Sequence, residues 1–323
     1  MFIFRKTALF TISILLLSLT ASAQLGWKPG KVKAGGDLVA VYFTSAEKGW
    51  IAGDGGYLAS TGDGGKNWTK YSLNITDDIN EIYFRNDDNG YLVAGKKMFM
   101  TRDAGRTWEE TRIVKPMDFR NYFPEFLSIR FVDKKRGFVI GSLLNAKDEV
   151  VDSLLMRTED GGETWRRVLV PSKLELFDMA SSGSSRIWIV GDKGLIVAST
   201  DGGVTWHTQT SGVVRALFNV DFRDDSEGYV VGGGGTILRT ENGGATWEKV
   251  VTSFPKSFKR VDFADDKNGW IVGFDGTILR SSDKGRTWIK QDSKTTENLY
   301  GLYIVKKYGW AVGANGTILE YLR

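Results

Sequence analysis

Short apolar segments bounded by glycine recur along the chain, and their pattern predicts β-strands. Seven segments begin with two apolar residues three positions apart, and each leads into a second apolar run that usually opens with Gly and an aromatic residue. A sustained helical period is not present, so the chain is predicted to be all-β. The seven apolar pairs are Leu38/Val41, Ile79/Ile82, Phe126/Ile129, Leu176/Met179, Leu217/Val220, Phe258/Val261 and Leu299/Leu302.

A second motif, Ser/Thr-x-Asp-x-Gly-x-x-Trp, closes six of the seven units, and we call it the Asp-box. Its copies begin at residues 61, 101, 158, 199, 240 and 281, so successive spacings are 40, 57, 41, 41 and 41 residues. Units of about 43 residues with four strands each (A to D, from the inside outward) predict a seven-bladed β-propeller. The acidic and aromatic positions are Asp63, Asp103, Asp160, Asp201, Asn242 and Asp283, and Trp68, Trp108, Trp165, Trp206, Trp247 and Trp288.

The seventh unit contains strands A to C but no Asp-box, and the missing strand is found near the start of the chain. The segment Gly26-Trp27-Lys28 matches the residues that follow each Asp-box, as at Trp247. We therefore predict that an N-terminal strand completes the last blade and closes the ring. Residues 24–323 then form one domain without a linker.

The residue types of the Asp-box predict a turn and not a metal or catalytic site. An Asp side chain can accept backbone N–H bonds within the C–D turn, which explains why Asn242 can replace it. Each turn offers one carboxylate, whereas Ca²⁺ needs six to eight oxygen ligands. The chain has a single histidine, His207, and no cysteine, so zinc and Ser-His-Asp chemistry are not supported. We expect no cofactor, no metal and no catalytic residue.

The first 23 residues have the features of a secretory signal peptide. Arg5 and Lys6 precede an apolar run from residue 8 to residue 19, and Ala21-Ser22-Ala23 supplies a small-residue cleavage site. The run is too short for a comfortable membrane span, so we expect a periplasmic or extracellular protein without an integral membrane anchor. The net charge of +4 comes from 43 basic and 39 acidic residues, which gives no basis for nucleic-acid binding.

Two resemblances to known families follow from these motifs. The Asp-box resembles the bacterial neuraminidase repeat, which occurs in sialidases, in some glycoside hydrolases and in many non-catalytic propellers. The fuller unit resembles the photosystem II stability/assembly factor family, and residues 261–288 follow it closely: VDFADDKNGWIVGFDGTILRSSDKGRTW. This second resemblance implies an exported seven-bladed propeller that grips a partner polypeptide and helps to assemble a membrane complex. The chain lacks the lipidated cysteine of the cyanobacterial pattern, so we expect a non-photosynthetic setting.

A carbohydrate-active propeller is the alternative. Sialidases surround a carboxylate with three arginines, and strand A is where such residues would face the channel. Only two arginines occur among the polar and tyrosine positions of these strands, although three arginines converging in the structure would favour sialidase-like chemistry. These positions are Tyr42, Glu81, Tyr83, Arg130, Asp178, Asn219, Asp221, Arg260, Asp262 and Tyr303.

The blade topology predicts which face binds a partner. In a meander blade the A–B and C–D loops lie on one face, and the B–C and D–A loops lie on the other. Both long insertions, residues 114–125 and 142–153, belong to the second face. We expect this face to bind a protein or an extended, acidic peptide, although the first insertion could instead pack over its own blade. The candidate contacts are Phe119, Arg120, Tyr122 and Phe123 in the insertion, and Arg130 and Arg260 near the channel mouth.

Overall fold

Seven antiparallel four-stranded sheets are arranged in a ring. The computed structural model describes residues 26–114, 119 and 121–322, so the predicted signal peptide lies outside the described residues. The innermost strands of neighbouring blades contact one another in chain order, and the last contacts the first. The predicted seven-bladed propeller is therefore confirmed.

Each blade is a meander whose strands run in chain order from the channel outward. Blade 1 contains β2 (Leu38–Phe43), β3 (Gly49–Gly53), β4 (Tyr57–Thr61) and β5 (Thr69–Tyr71). Blade 2 contains β6 (Ile79–Phe84), β7 (Gly90–Ala94), β8 (Lys97–Thr101) and β9 (Glu109–Thr111). Blade 3 contains β10 (Phe123–Phe131), β11 (Gly137–Leu144), β12 (Val150–Thr158) and β13 (Arg166–Arg167). Blade 4 contains β14 (Leu176–Ser182), β15 (Arg186–Gly191), β16 (Ile196–Ser199) and β17 (His207–Gln209).

The remaining three blades follow the same order, except that the last takes its outer strand from the start of the chain. Blade 5 contains β18 (Leu217–Phe222), β19 (Gly228–Gly232), β20 (Thr236–Thr240) and β21 (Glu248–Lys249). Blade 6 contains β22 (Phe258–Phe263), β23 (Gly269–Gly273), β24 (Ile278–Ser281) and β25 (Ile289–Gln291). Blade 7 contains β26 (Leu299–Ile304), β27 (Tyr308–Gly313), β28 (Thr317–Leu322) and β1 (Gly26–Lys31). Short 3₁₀ turns join strands B and C at Asp54–Gly56, Asp192–Gly194, Gly233–Gly235 and Ala314–Gly316.

The N-terminal strand closes the ring, as predicted. β1 pairs antiparallel with β28, and Trp27 lies opposite Tyr321. The Trp27 side chain is only 5% exposed, and its ring centroid lies 5.2 Å from that of Tyr321. Trp270 of blade 6 also lies 5.2 Å from Tyr321, so this cluster joins both ends of the chain to the preceding blade.

The Asp-box turns have the hydrogen bonds that the sequence predicts. In the second box, Asp103 Oδ1 accepts a bond from the Thr107 backbone N–H at 2.9 Å, and Oδ2 accepts one from the Thr107 hydroxyl at 2.7 Å. These bonds lower the pKa of Asp103 to about 2. Asn242 Oδ1 accepts the equivalent backbone bond from Thr246 at 3.0 Å, so an amide can fill the position.

The glycine at the fifth position of each Asp-box lets one blade pack closely against the preceding blade. Gly244 of blade 5 has a φ of 79°, and a Cβ atom there would lie 2.2 Å from Trp188 Nε1 of blade 4. The Trp188 ring stacks on Phe222 at 3.6 Å, and the box residue Trp247 meets Phe222 edge-on at 5.9 Å. The turn thus fixes an aromatic cluster between blades, because rings in these arrangements add to simple area burial.

The loop and face assignments from the sequence are confirmed except in blade 3. The Asp54 N–H of a B–C turn bonds to the Asp37 carbonyl before strand A, and the Gly64 N–H of a box bonds to the Glu47 carbonyl of the A–B loop. Residues 142–153 were expected to form a loop, but β11 and β12 continue their pairing through most of this segment. β11 and β12, with eight and nine residues, are therefore longer than strands B and C of the other blades. Among the described residues no helix has the length and apolar character to cross a membrane.

We predict that Trp27→Ala destabilises the closed ring. Removing a buried indole that packs between two blades should lower the free energy of unfolding by about 3–5 kcal/mol. Chemical denaturation followed by tryptophan fluorescence measures this loss. Lys28→Ala, at an exposed site on the same strand, is the matched control. A loss below about 1 kcal/mol for Trp27→Ala would contradict closure by this strand.

Candidate functional site in the channel

The inner strand of every blade is a sheet edge, so its backbone groups need partners other than a neighbouring strand. Side chains from the preceding blade supply several of them. These side chains therefore stabilise the ring, whether or not the channel binds a ligand. These bonds run from Tyr42 Oη to the Phe84 carbonyl (2.9 Å), from Ile129 N–H to Glu81 Oε2 (2.9 Å), from Val261 N–H to Asn219 Oδ1 (2.8 Å) and from Ile304 N–H to Asp262 Oδ2 (3.0 Å).

A β-bulge at the start of each inner strand turns one extra side chain toward the channel. All seven strands shift register directly after the first apolar anchor, and all seven bulged residues line one cavity of about 360 Å³. We call it the mouth cavity, and it opens on the face that carries the B–C and D–A loops. The bulged residues are Val39, Asn80, Leu127, Phe177, Phe218, Lys259 and Tyr300.

On one side of the mouth cavity, aromatic side chains surround Lys259. The Phe177 and Phe218 centroids lie 5.6 Å apart, and Lys259 Nζ lies 3.9 Å from the Phe218 centroid. Phe274, from the B–C turn of blade 6, packs edge-on against Tyr300 at 6.3 Å. Burial lowers the pKa of Lys259, and the nearby positive charge of Arg260 lowers it further.

A buried ion-pair cluster forms the floor of the mouth cavity. Arg260 donates to Glu81 Oε1 at 3.4 Å and to Asp178 Oδ1 at 3.3 Å, and Arg130 Nη2 lies 3.5 Å from Glu81 Oε1. Burial alone would raise the pKa of Glu81, but Arg130 and Arg260 outweigh it and hold the pKa below its usual range. Burial raises the pKa of Asp178 despite the same two arginines. Both arginines are thus committed to internal carboxylates.

Arg130 and Arg260 do not lie together at the mouth, contrary to the sequence prediction. Arg130 is the penultimate residue of β10 and lines a second cavity of about 340 Å³, which opens toward the Asp-box face. Its guanidinium lies 5.4 Å from the Tyr83 ring. Arg260 directly follows the bulge of its strand, whereas Arg130 lies two residues further along β10 than the equivalent Ser128. Arg260 therefore lines both cavities, and Arg130 lines only the second.

The second cavity, which we call the lower cavity, contains two carboxyl groups with raised pKa values. Burial raises the pKa of Asp221 to about 6 although Arg130 opposes the rise. Burial and the repulsion from Asp221 raise the pKa of Asp262 to about 7. Tyr303 and Tyr42 line the other side, with ring centroids 5.4 Å apart. Two arginines line the channel in the described part of the chain, so the sialidase condition of three is not met there.

The insertion before blade 3 presents two of its four predicted contact residues. Tyr122 and Phe123 are 48% and 51% exposed, which suits an anchoring role. Phe119 was expected to be exposed, but it is 8% exposed and packs in the core of blades 2 and 3 below the Arg167 guanidinium. At Phe119 the structure therefore agrees with the alternative expectation, in which the insertion packs over its own blade. Arg120 lies outside the described residues.

Sequence reasoning missed the mouth residues Phe177, Phe218 and Lys259 because it assumed regular strands. In a regular strand the side chains on one face are two or four positions apart. The apolar anchors of every inner strand are three apart, as at Leu38 and Val41, and this spacing is the signal of the bulge. Within the described residues no group of three or more His, Asp or Glu side chains could hold a metal ion.

The fold and the channel define the class as a seven-bladed propeller built from one repeated unit. The profile described as "Photosynthesis system II assembly factor YCF48" matches residues 19–113, 68–175, 164–254, 211–290 and 256–322. The chain therefore belongs to this family. No curated protein sequence matches it significantly.

Solved structures with this fold include a peptide-bound protein and enzymes. The structure "YCF48 bound to D1 peptide" has 20% identity and a TM-score of 0.75, over 92% of this chain and 97% of that chain. Virginiamycin B lyase from Staphylococcus aureus has 12% identity and a TM-score of 0.75, over 92% of this chain and 99% of that chain. The GH74 xyloglucanase from Xanthomonas campestris has 14% identity and a TM-score of 0.68, over 91% of this chain and 53% of that chain. At these identities the likeness shows the fold alone.

We predict that Asp262 makes stability depend on pH. The pKa of Asp262 is raised in the folded state, so the protonated carboxyl is the form that the fold tolerates. The protein is therefore most stable, as far as Asp262 is concerned, below about pH 4, and this stability is lost as the pH rises through about 7. Asp262→Asn cannot ionise, and its side-chain oxygen can still accept the Ile304 N–H. The free energy of unfolding of the variant, relative to wild type, should therefore increase by about 1–3 kcal/mol as the pH is raised from 5 to 8.

Chemical denaturation at both pH values tests this, with the exposed Asp266→Asn as the matched control. An equal stability difference between Asp262→Asn and wild type at pH 5 and pH 8 would show that Asp262 is not protonated in the folded protein.

Proposed function

We propose that this chain is an exported, non-catalytic assembly or stability factor that binds an extended segment of a protein partner. The observation that carries the proposal is the mouth cavity, where aromatic rings surround a cation on the face that also presents Tyr122 and Phe123. Aromatic residues in a pocket beside exposed aromatic anchors are the groups that dominate protein interfaces. Family membership supports it, because the related YCF48 structure holds a peptide.

The remaining channel chemistry supports a binding role over a catalytic one. Arg130, Arg260 and Glu81 form internal ion pairs, and the inner-strand side chains bond to the backbone of the next blade. Groups held in this way stabilise the ring, and their removal would leave buried charges without partners. The mouth cavity is therefore a rigid surface on which a partner segment can settle with little loss of protein entropy.

The setting that we propose is the periplasm or the cell exterior, after removal of residues 1–23. Support comes from the basic, apolar and small-residue segments at the start of the chain. We further propose a non-photosynthetic role, with a subunit of a membrane complex as the partner. The lack of cysteine in residues 1–323 supports this departure from the cyanobacterial pattern.

Site-specific photo-crosslinking in the native envelope tests the proposal. A photoreactive phenylalanine analogue at Tyr122 or at Tyr300 should give the same partner adduct, identified by mass spectrometry, because both lie on the binding face. The same analogue at Val204, which is 61% exposed in an Asp-box turn on the opposite face, is the matched control. Adducts of equal yield from Val204, or none from the other two sites, would contradict the proposed face.

A carbohydrate-active propeller is the second candidate, and the lower cavity is the observation that favours it. Asp221 and Asp262 have pKa values near neutrality beside tyrosine rings, and glycosidases use carboxyl pairs whose pKa values are set apart. We expect no turnover of sialyl or xyloglucan reporters by the purified protein. Turnover that is abolished in both Asp221→Asn and Asp262→Asn would establish this candidate in place of the binding role.

A further inference from the structure

Lys259 is a cation without an anionic partner in the mouth cavity. It is the one basic residue among the seven bulged positions, and no carboxylate in the described part of the chain lies within 4.0 Å of its Nζ. Its sequence neighbour Arg260, by contrast, forms ion pairs with the buried Glu81 and Asp178. The Lys259 ammonium lies over the Phe218 ring instead, with Phe274 at 6.0 Å.

This arrangement leaves the Lys259 charge poorly compensated. Burial lowers its pKa and Arg260 lowers it further, and no acidic group opposes them. A ring face stabilises a cation less than a carboxylate does at the same site. An incoming anion would therefore gain a charge-assisted hydrogen bond in a site already partly removed from water.

The acidic residues at the mouth are engaged elsewhere. Asp54 Oδ2 accepts the Asp37 N–H at 2.9 Å, and Asp37 Oδ1 accepts the Asn315 N–H at 3.0 Å, so both carboxylates bond to backbone where blades 7 and 1 meet. The two carboxylates make the electrostatic potential at that rim more negative. An anion is therefore directed toward the opposite side of the cavity, where Phe177, Phe218 and Lys259 lie.

The depth of the mouth cavity favours a chain end over the middle of a chain. The Glu81, Asp178 and Arg260 cluster lies between the mouth cavity and the lower cavity, so a bound chain cannot continue through the channel. A volume of about 360 Å³ also lies at the small end of ligand pockets. A terminal residue can enter such a pocket without turning back.

We propose that the mouth cavity binds the C-terminal residue of a partner polypeptide, with its free carboxylate on Lys259 and an aromatic side chain packed against the rings of Phe177, Phe218 and Phe274. This inference rests on the proposed peptide-binding function and specifies its chemistry. The carboxylate removes the charge imbalance at Lys259, and the aromatic side chain extends the ring contacts already present between Phe177 and Phe218.

Binding of three small probes to the intact protein, followed by ligand-observed NMR titration, tests the proposal. N-acetyl-phenylalanine carries the ring and a terminal carboxylate, and N-acetyl-phenylalaninamide lacks the charge. N-acetyl-aspartyl-phenylalaninamide carries a side-chain carboxylate in place of the terminal one. We expect the first probe to bind about tenfold more tightly than the second, as one charge-assisted hydrogen bond provides, and more tightly than the third.

Substitutions of Lys259 separate its charge from its packing. Lys259→Met keeps an apolar side chain of similar length and should remove the tenfold preference, whereas Lys259→Arg should keep most of it. Lys290→Met, on the exposed outer strand of the same blade, is the matched control and should leave the preference unchanged. Thermal melts that match wild type show that each variant is folded.

Three results would overturn the proposal. They are equal affinity for the acid and the amide, a preference that persists in Lys259→Met, and no binding of any probe at about 10 mM, where millimolar affinity is visible. Tighter binding of the aspartyl probe would assign the site to a side-chain carboxylate and reject the C-terminal residue. Partner crosslinks that survive in Lys259→Met would leave the assembly role standing while the carboxylate inference fails, so the two failures are distinguishable.

Discussion

The inner edges of the seven sheets are the constraint on which the structure depends. A ring of separate sheets leaves seven edge strands around the channel, and their backbone groups must find partners in a confined space. Tyrosine, Glu, Asn and Asp side chains from one blade supply these partners to the next, as at Glu81 and Ile129. Between the blades, the aromatic clusters set by the Asp-box glycines hold the same blades together, and Trp27 makes the arrangement continuous across the chain ends.

The same constraint explains which channel residues are available for binding. Polar side chains in the middle of the channel are bonded to backbone or to one another, so Arg260 and Glu81 serve the ring. The bulge above them adds one further side chain to each inner strand. Asn80 donates to the Phe126 carbonyl of the next blade, whereas Phe218 and Lys259 pack against each other in the mouth cavity. The proposed binding site therefore rests on an irregularity that the fold repeats in every blade.

Repetition made most of the fold predictable from the sequence. The seven apolar pairs, which recur together with the six Asp-boxes, predicted the number of blades, and the match between Trp27 and the residues after each box predicted the closure. Single positions were less predictable because packing between non-repeated segments decides them. Phe119 lies in an insertion found in one blade, and its burial depends on contacts with Arg167 that no repeat encodes. Arg130 and Arg260 lie at different levels of the channel because Arg260 directly follows the bulge of its strand and Arg130 lies two residues beyond that position.

Hydrogen exchange with and without the native partner measures the central claim most directly. The account predicts slower exchange, on partner binding, at the starts of the inner strands of blades 5 to 7, near residues 216–219, 257–260 and 298–301, and at Tyr122. It predicts unchanged exchange in the Asp-box turns on the opposite face. Slowing confined to those turns, for example at residues 199–206 and 240–247, would contradict the account.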